Sequence, residues 1–239
     1  MPRYVYLVII FFGCKHIQIS FFSCYYFFVC IRCKQNKKMF FYLDFQQIQR
    51  TCTQILMKDY HYLLTKSLLN DNVTQYKLSL LFSKWISNKI QNVNISNYWL
   101  TKANQNGNSN AKLLLAYYYI HGSHGFEYDC KKSFDRCFQA AKNQNTNALV
   151  NLGFFYWFGI SQETNLIEAF NFFLKGAEKG NIFALLLVGH CYYYGLGIKK
   201  QQMLGKLFFY IAKAFGCKQD LDQYELFCKE SIKKHGNVI

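Results

Sequence analysis

Cys30 and Cys33 form a C-x-x-C pair, which is half of a structural zinc site. Such a site needs four ligands, and neither a second pair nor a well-spaced His pair accompanies it. Chance within a Cys-rich segment explains the spacing better. His121, His124 and Cys130 surround one loop and could supply three ligands, but their uneven spacing defines no tetrahedral site, so a solvated loop is expected. No phosphate-binding loop, nucleophile elbow or zinc-protease helix occurs, and Gly195 and Gly197 lack the third glycine and preceding strand of a dinucleotide fingerprint. We therefore expect no catalytic residue, no metal and no cofactor. Asn72-Val73-Thr74 and Asn94-Ile95-Ser96 spell the glycosylation triplet, which counts only in a lumenal chain.

The elements that would position any site announce themselves by a period. Ala148, Gly153, Tyr156 and Gly159 return as Ala184, Gly189, Tyr192 and Gly195, and in part appear earlier as Ala111, Tyr119 and Gly122. Phe173 and Gly180 align with Phe209 and Gly216, while Ser133, Ala169 and Gly205 form a column of small residues. Each unit reads as two helices, the first over Ala148 to Phe158 and the second over Ile167 to Glu178, with glycines closing them. A glycine inside a helix costs about 1 kcal/mol relative to alanine, so Gly153 and Gly189 imply close helix contact. One hairpin cannot bury its apolar face alone, and stacking of neighbours follows.

These residues resemble the Sel-1-like repeats, whose pattern is approximately A-x-x-x-L-G-x-x-Y-x-x-G-x-G, then D-x-x-K-A, then an aromatic and A-A-x-x-G. Ala148, Leu152, Gly153, Tyr156 and Gly159 match the first part, as do Ala184, Gly189, Tyr192, Gly195 and Gly197; Asp129 with Lys132, and Ala140 with Ala141, match the second. Ala116 stands for the first Gly, Val188 for the Leu, and Asn165 and Gln201 for the Asp. Tetratricopeptide repeats compete, but their period is 34 and they end in a Pro missing here. The resemblance implies an all-α solenoid of stacked helix-turn-helix repeats and a non-catalytic adaptor that holds a protein or peptide in a concave groove. Members serving endoplasmic-reticulum quality control imply a membrane-linked adaptor as the alternative. Bacterial relatives with hydrolytic activity towards β-lactams imply a third. The regular Cys pair those secreted relatives carry in each repeat is absent.

The 239 residues are 51% hydrophobic with one Pro, which excludes extended disorder over most of the chain. The formal charge of +15 is spread over short Lys pairs, so an acidic protein or anionic membrane suits it and nucleic acid is disfavoured. Cys137, Cys191 and Cys217 occupy unequal repeat positions and read as small buried hydrophobes in a reducing, cytoplasmic compartment.

Residues 1–38 are an apolar, aromatic segment, either membrane-associated or translated from a misassigned start. A helix over Ile17 to Ile31 would be too short to span a bilayer. Residues 39–110 carry helix-like stretches (Ile48 to Leu56, Tyr60 to Leu69, Tyr76 to Ile90, Tyr98 to Asn104) and a degenerate unit in which Trp85 precedes Tyr119 by 34 residues. Asn104 to Asn110 is a turn. Three repeats fill 111–147, 148–183 and 184–216, and Tyr224 to Lys234 is a capping helix within 217–239.

Helical geometry supplies the candidate recognition residues. Opposite Ala148, Leu152 and Tyr156 lies a face whose equivalents make a row of Tyr117, Phe154 and His190, with Asn151 and Tyr194 beside it. If the first helices line the concave side, these five residues anchor a partner; if adjacent hairpins cover them, they are core.

Overall fold

The computed structural model describes residues 27–32, 38–43, 60–83 and 92–217. Nine helices occur among them: α1 (Tyr60–Leu68), α2 (Asn72–Phe82), α3 (Val93–Gln105), α4 (Ser109–His121), α5 (Cys130–Lys142), α6 (Thr146–Phe158), α7 (Leu166–Glu178), α8 (Ile182–Tyr194) and α9 (Gln202–Ala214). Helices α2 to α9 pair into four antiparallel hairpins that stack in chain order, which makes the molecule an all-α solenoid. Two strands precede it, β1 (Phe27–Arg32) and β2 (Lys38–Leu43), paired antiparallel with Phe27 opposite Leu43.

Asparagine explains both where the helices start and how the hairpins keep register. Asn108, Asn145 and Asn181 cap α4, α6 and α8, each accepting a hydrogen bond from the backbone N–H three residues on. The amide left over reaches sideways to the preceding unit. Asn108 Nδ2 donates to the Asn72 carbonyl at 3.1 Å, Asn145 Nδ2 to Asn110 Oδ1 at 2.8 Å, and Asn181 Nδ2 to Asn147 Oδ1 at 2.9 Å. An aspartate would cap equally well but has no N–H left to donate. Asn92, Asp129 and Asn165 cap α3, α5 and α7, so Asn165 fully replaces the aspartate, whereas Gln201 at α9 makes no capping bond.

Within each hairpin the helices cross at small residues. Ser79 meets Ser96, Ala116 meets Ser133 and Gly189 meets Gly205, and Gly153 and Ala169 hold the same positions in the third unit. The Ser96 hydroxyl donates to the Ser79 carbonyl at 2.8 Å and Ser133 to Ala116 at 2.7 Å. The residue one turn on fills what room remains: Leu100 and Cys137 in the first two units, Phe173 and Phe209 where the crossing residue is glycine. A Cβ on Gly153 would overlap the Phe173 ring, and one on Gly189 would lie 2.7 Å from Phe209. The helix interrupted by glycine is the one that must admit a phenyl ring.

The apolar core runs unbroken from Tyr76 in α2 to Ala212 in α9, with a second small cluster of Leu63, Leu78, Leu81, Phe82 and Trp99 at the α1 end. Turns repeat as faithfully as helices. Asn70, Gly107, Gln144, Gly180 and Gly216 all hold positive φ after a second helix, so α1 ends as a second helix does and supplies half a unit before the first hairpin. The loop position shared by His124, Ser161 and Gly197 is also left-handed, at φ 57, 64 and 71. Side chains replace the second glycine of the motif while the backbone keeps its shape.

Several expectations need correction. Phe27–Arg32 is a strand, so no helix continues to Ile31, and the boundary drawn at residue 38 falls at the start of a strand paired across it. The degenerate unit registers through Asp71, 37 positions before Asn108, which aligns Phe82 rather than Trp85 with Tyr119; α2 stops at Phe82, and Trp85 lies outside the described residues. The Asn-rich turn is confined to Asn106–Asn108. Ile48 to Leu56, most of residues 1–38 and Tyr224 to Lys234 lie outside the described residues.

Candidate interaction surface

The first and second helices differ in kind. Helices α4, α6 and α8 are apolar nearly all round and buried on almost every side, whereas α5, α7 and α9 bury one face and expose the other. Helix α6 meets α5 and α7, and β2 lies against it, so the chain's own N-terminal strand covers part of the row of first helices.

That burial decides the fate of the candidate anchors. Asn151, Phe154 and His190 are 0%, 1% and 2% exposed, and Tyr117 is buried at 9%. Phe154 meets Phe173 edge-on at 5.4 Å and lies 6.2 Å from Phe183 of the next unit. His190 packs 4.7 Å from Phe209 and stacks on Tyr194 at 6.1 Å with the rings 2° from parallel. The expectation of an accessible row is therefore corrected for these four residues, because stacking of hairpins needs aromatic volume at the same angle of the helix. Of the five candidates Tyr194 alone is half-buried.

The recurring tyrosines also have a packing role. Tyr156 stacks on Phe172 of its own hairpin (5.4 Å, 11°) and meets Phe134 of the preceding one edge-on (6.0 Å, 80°). Tyr192 repeats this with Phe208 (5.6 Å, 7°) and Phe170 (5.4 Å, 83°). Each ring thus clamps two units, in arrangements that favour the aromatic quadrupole.

The residues that could do chemistry are absorbed in the same way. His121 packs 4.1 Å from Tyr117, and His124 stacks on Tyr118 at 4.1 Å and 15°, so the expected solvated loop is an aromatic cluster. Burial, and secondarily the neighbouring His124, lower the His121 pKa to about 3. Among the described residues no group of three or more His, Cys, Asp and Glu stands close enough to hold a metal ion. Cys137 and Cys191 are fully buried, and burial pushes their thiols far above the ordinary value; Cys130 and Cys217 are partly exposed. The glycosylation triplets are spent on packing too, since Thr74 and Ser96 are buried and bond to backbone carbonyls.

Sequence reasoning missed the outward surface of the second helices. Among its large apolar residues are Tyr98, Phe138, Ile167, Met203, Leu207 and Tyr210, all exposed. Lysines lie over some of their rings, Lys102 5.9 Å above Tyr98 and Lys142 4.9 Å above Phe138. The signal was available as the i, i+4, i+7 spacing of Met203, Leu207 and Tyr210.

Comparison with known proteins agrees with this architecture. The family model for the Sel1 repeat matches residues 74–108, 109–144, 146–181 and 182–214, four units where the sequence showed three plainly. Among solved structures, a Sel1 repeat protein from Oxalobacter formigenes is similar at 23% identity and a TM-score of 0.59, covering 65% of this chain and 61% of that one. The cysteine rich protein B of Helicobacter pylori (hcpB) shares 24% identity at a TM-score of 0.40, over 49% of this chain and 88% of that one. The antigen c5321 of uropathogenic Escherichia coli, described as displaying an SLR fold, shares 17% identity at 0.36, over 72% and 48%. This chain thus spans about three-fifths of the Oxalobacter protein. No curated protein matches the sequence. With the family pattern covering more than half of the chain, in register with four observed hairpins, the protein belongs to the Sel1 repeat family.

Proposed function

We propose that this protein is a non-catalytic scaffold that holds a protein or peptide partner along its row of first helices. The observation that carries this reading is the single core shared by four hairpins, which makes a long rigid surface and dedicates the buried His, Cys and Tyr side chains to packing. Tyr194 is the member of the recognition row that remains within reach. Strand β2 against α6 suggests that an extended segment suits the neighbouring part of the row, since the chain already places one there.

Affinity capture with the full chain from its native source, followed by cross-linking, tests the proposal. The expected result is a stoichiometric protein partner cross-linked near α8, depleted by Tyr194→Ala while the thermal melt stays close to that of the wild type. A purified chain that turns over a substrate, or a capture unaffected by Tyr194→Ala with cross-links confined elsewhere, overturns it.

A further inference from the structure

Helix α9 carries a surface that packing leaves unused. Met203, Leu207 and Tyr210 are 79%, 52% and 74% exposed, and their spacing aligns them along one side of the helix. The equivalent positions are Asn94, Tyr98 and Thr101 in α3, and Lys131, Asp135 and Phe138 in α5. In α7 they are Ile167, Asn171 and Leu174, with Ile167 61% exposed. The outer surface thus changes from mostly polar in the first units to wholly apolar in the last. An exposed stripe of this kind marks an interaction site when it is rimmed by polar groups.

The rim says what the partner is. Lys206 and Lys213 on α9 and Lys199 and Lys200 just before it are exposed, and residues 198–217 contain no Asp or Glu. A second copy of the chain, itself at +15, would bring these lysines against like charge. The stripe is three side chains of a single helix, each more than half exposed, rather than the buried lining of a groove. Apolar tips beside lysines on one helix suit a surface that is apolar below and anionic above, in which a helix lies flat at the headgroup boundary. Such docking needs no spanning segment, and no described helix is long and apolar enough to cross a membrane.

We propose that α9 docks the solenoid on an anionic lipid bilayer, with Met203, Leu207 and Tyr210 inserted between headgroups and Lys206 and Lys213 on their phosphates or carboxylates. The inference does not rest on the scaffold reading, and its test changes exposed α9 side chains while leaving Tyr194 of α8 in place, so its failure and that of the scaffold reading are separable.

Co-sedimentation of the full chain with phosphatidylcholine vesicles, with and without phosphatidylserine, tests it. The expected result is binding to the phosphatidylserine vesicles that weakens with salt. The triple change Met203→Ser, Leu207→Ser, Tyr210→Ser should lower it by about tenfold or more, and Lys206→Gln with Lys213→Gln by about fivefold per lysine. All five side chains are exposed, so an unchanged circular dichroism melt confirms that folding is intact. Wild-type binding by the triple variant would move the contact to another part of the chain. Absence of vesicle binding, with capture of an acidic protein through the same residues, would make the stripe a protein interface. Either result overturns the proposal.

Discussion

Helices α7 and α9 are the same thirteen-residue element one period apart, yet they meet different surroundings. On the side where the next hairpin stacks, α7 presents Leu166, Phe170 and Ala177, and Phe170 is received by Tyr192. At the equivalent positions α9 carries Gln202, Lys206 and Lys213. The N-cap asparagine series ends there as well, with Cys217 where Asn108, Asn145 and Asn181 stand in earlier units. A repeat is therefore identified by its interior columns, Gly153 and Phe173 matching Gly189 and Phe209, while its place in the stack is written in the columns that face a neighbour. Among the described hairpins α8–α9 is the last, and an end unit of such an array needs a polar outer face.

The sharpest way to break that comparison exchanges the two faces. Phe170→Lys puts the α9 residue into the α7 setting, where the ring is 5% exposed, and should cost roughly 4 kcal/mol or more from the lost packing and the desolvated ammonium. Lys206→Phe, its mirror, should change stability by less than about 1 kcal/mol. Urea denaturation of both variants checks this, and equal losses would show that the two faces are not different in kind.

A smaller effect tests the interior columns, which should behave alike everywhere. Gly153→Ala forces a methyl group into the Phe173 ring and should destabilise by about 1–3 kcal/mol despite alanine's better helix propensity. Adding Phe173→Cys recreates the Ala116 and Cys137 pair of the α4–α5 unit, so the double variant should lose less than the two single changes summed. Additivity measured in a double-mutant cycle would contradict the matched packing.

The first helices differ at one further column, His121 in α4, Phe158 in α6 and Tyr194 in α8. With its folded pKa near 3 and an unfolded value of 6.5, His121 stays neutral in the native state while the unfolded chain takes up a proton. Stability should therefore decline as pH falls from 6.5 towards 3, at no more than about 1.4 kcal/mol per pH unit and less for the part of the ring that solvent reaches. His121→Phe, which copies α6, should remove this contribution to the slope of melting temperature against pH. The smallest expected effect is a gain. Ser161→Gly restores the residue found at Gly197 in a left-handed turn and should stabilise by about 0.5–1 kcal/mol in a thermal melt.

How much was legible follows from what each signal depends on. The helices of the last three units were readable because glycine at a left-handed turn, asparagine or aspartate at a cap and small residues at a crossing are demanded by the backbone, whatever surrounds it. The first hairpin was harder, since Ser79 stands at its crossing where the later first helices carry Ala116, Gly153 and Gly189. The recognition row was misplaced for a different reason. Helical angle identifies the side opposite the hairpin's own core, but it cannot say whether water or another hairpin meets that side.

The sequence by itself determined the period, the pairing of helices and the residues at which they cross, because these rest on local conformation and on the volume of one side chain against the next. Only the tertiary structure decided that Phe154 and His190 are core, that β2 covers α6, and that Met203, Leu207 and Tyr210 are left in the open. Burial is a property of neighbours, and an aromatic residue at helical spacing carries the same pattern whether another helix, a strand or solvent faces it.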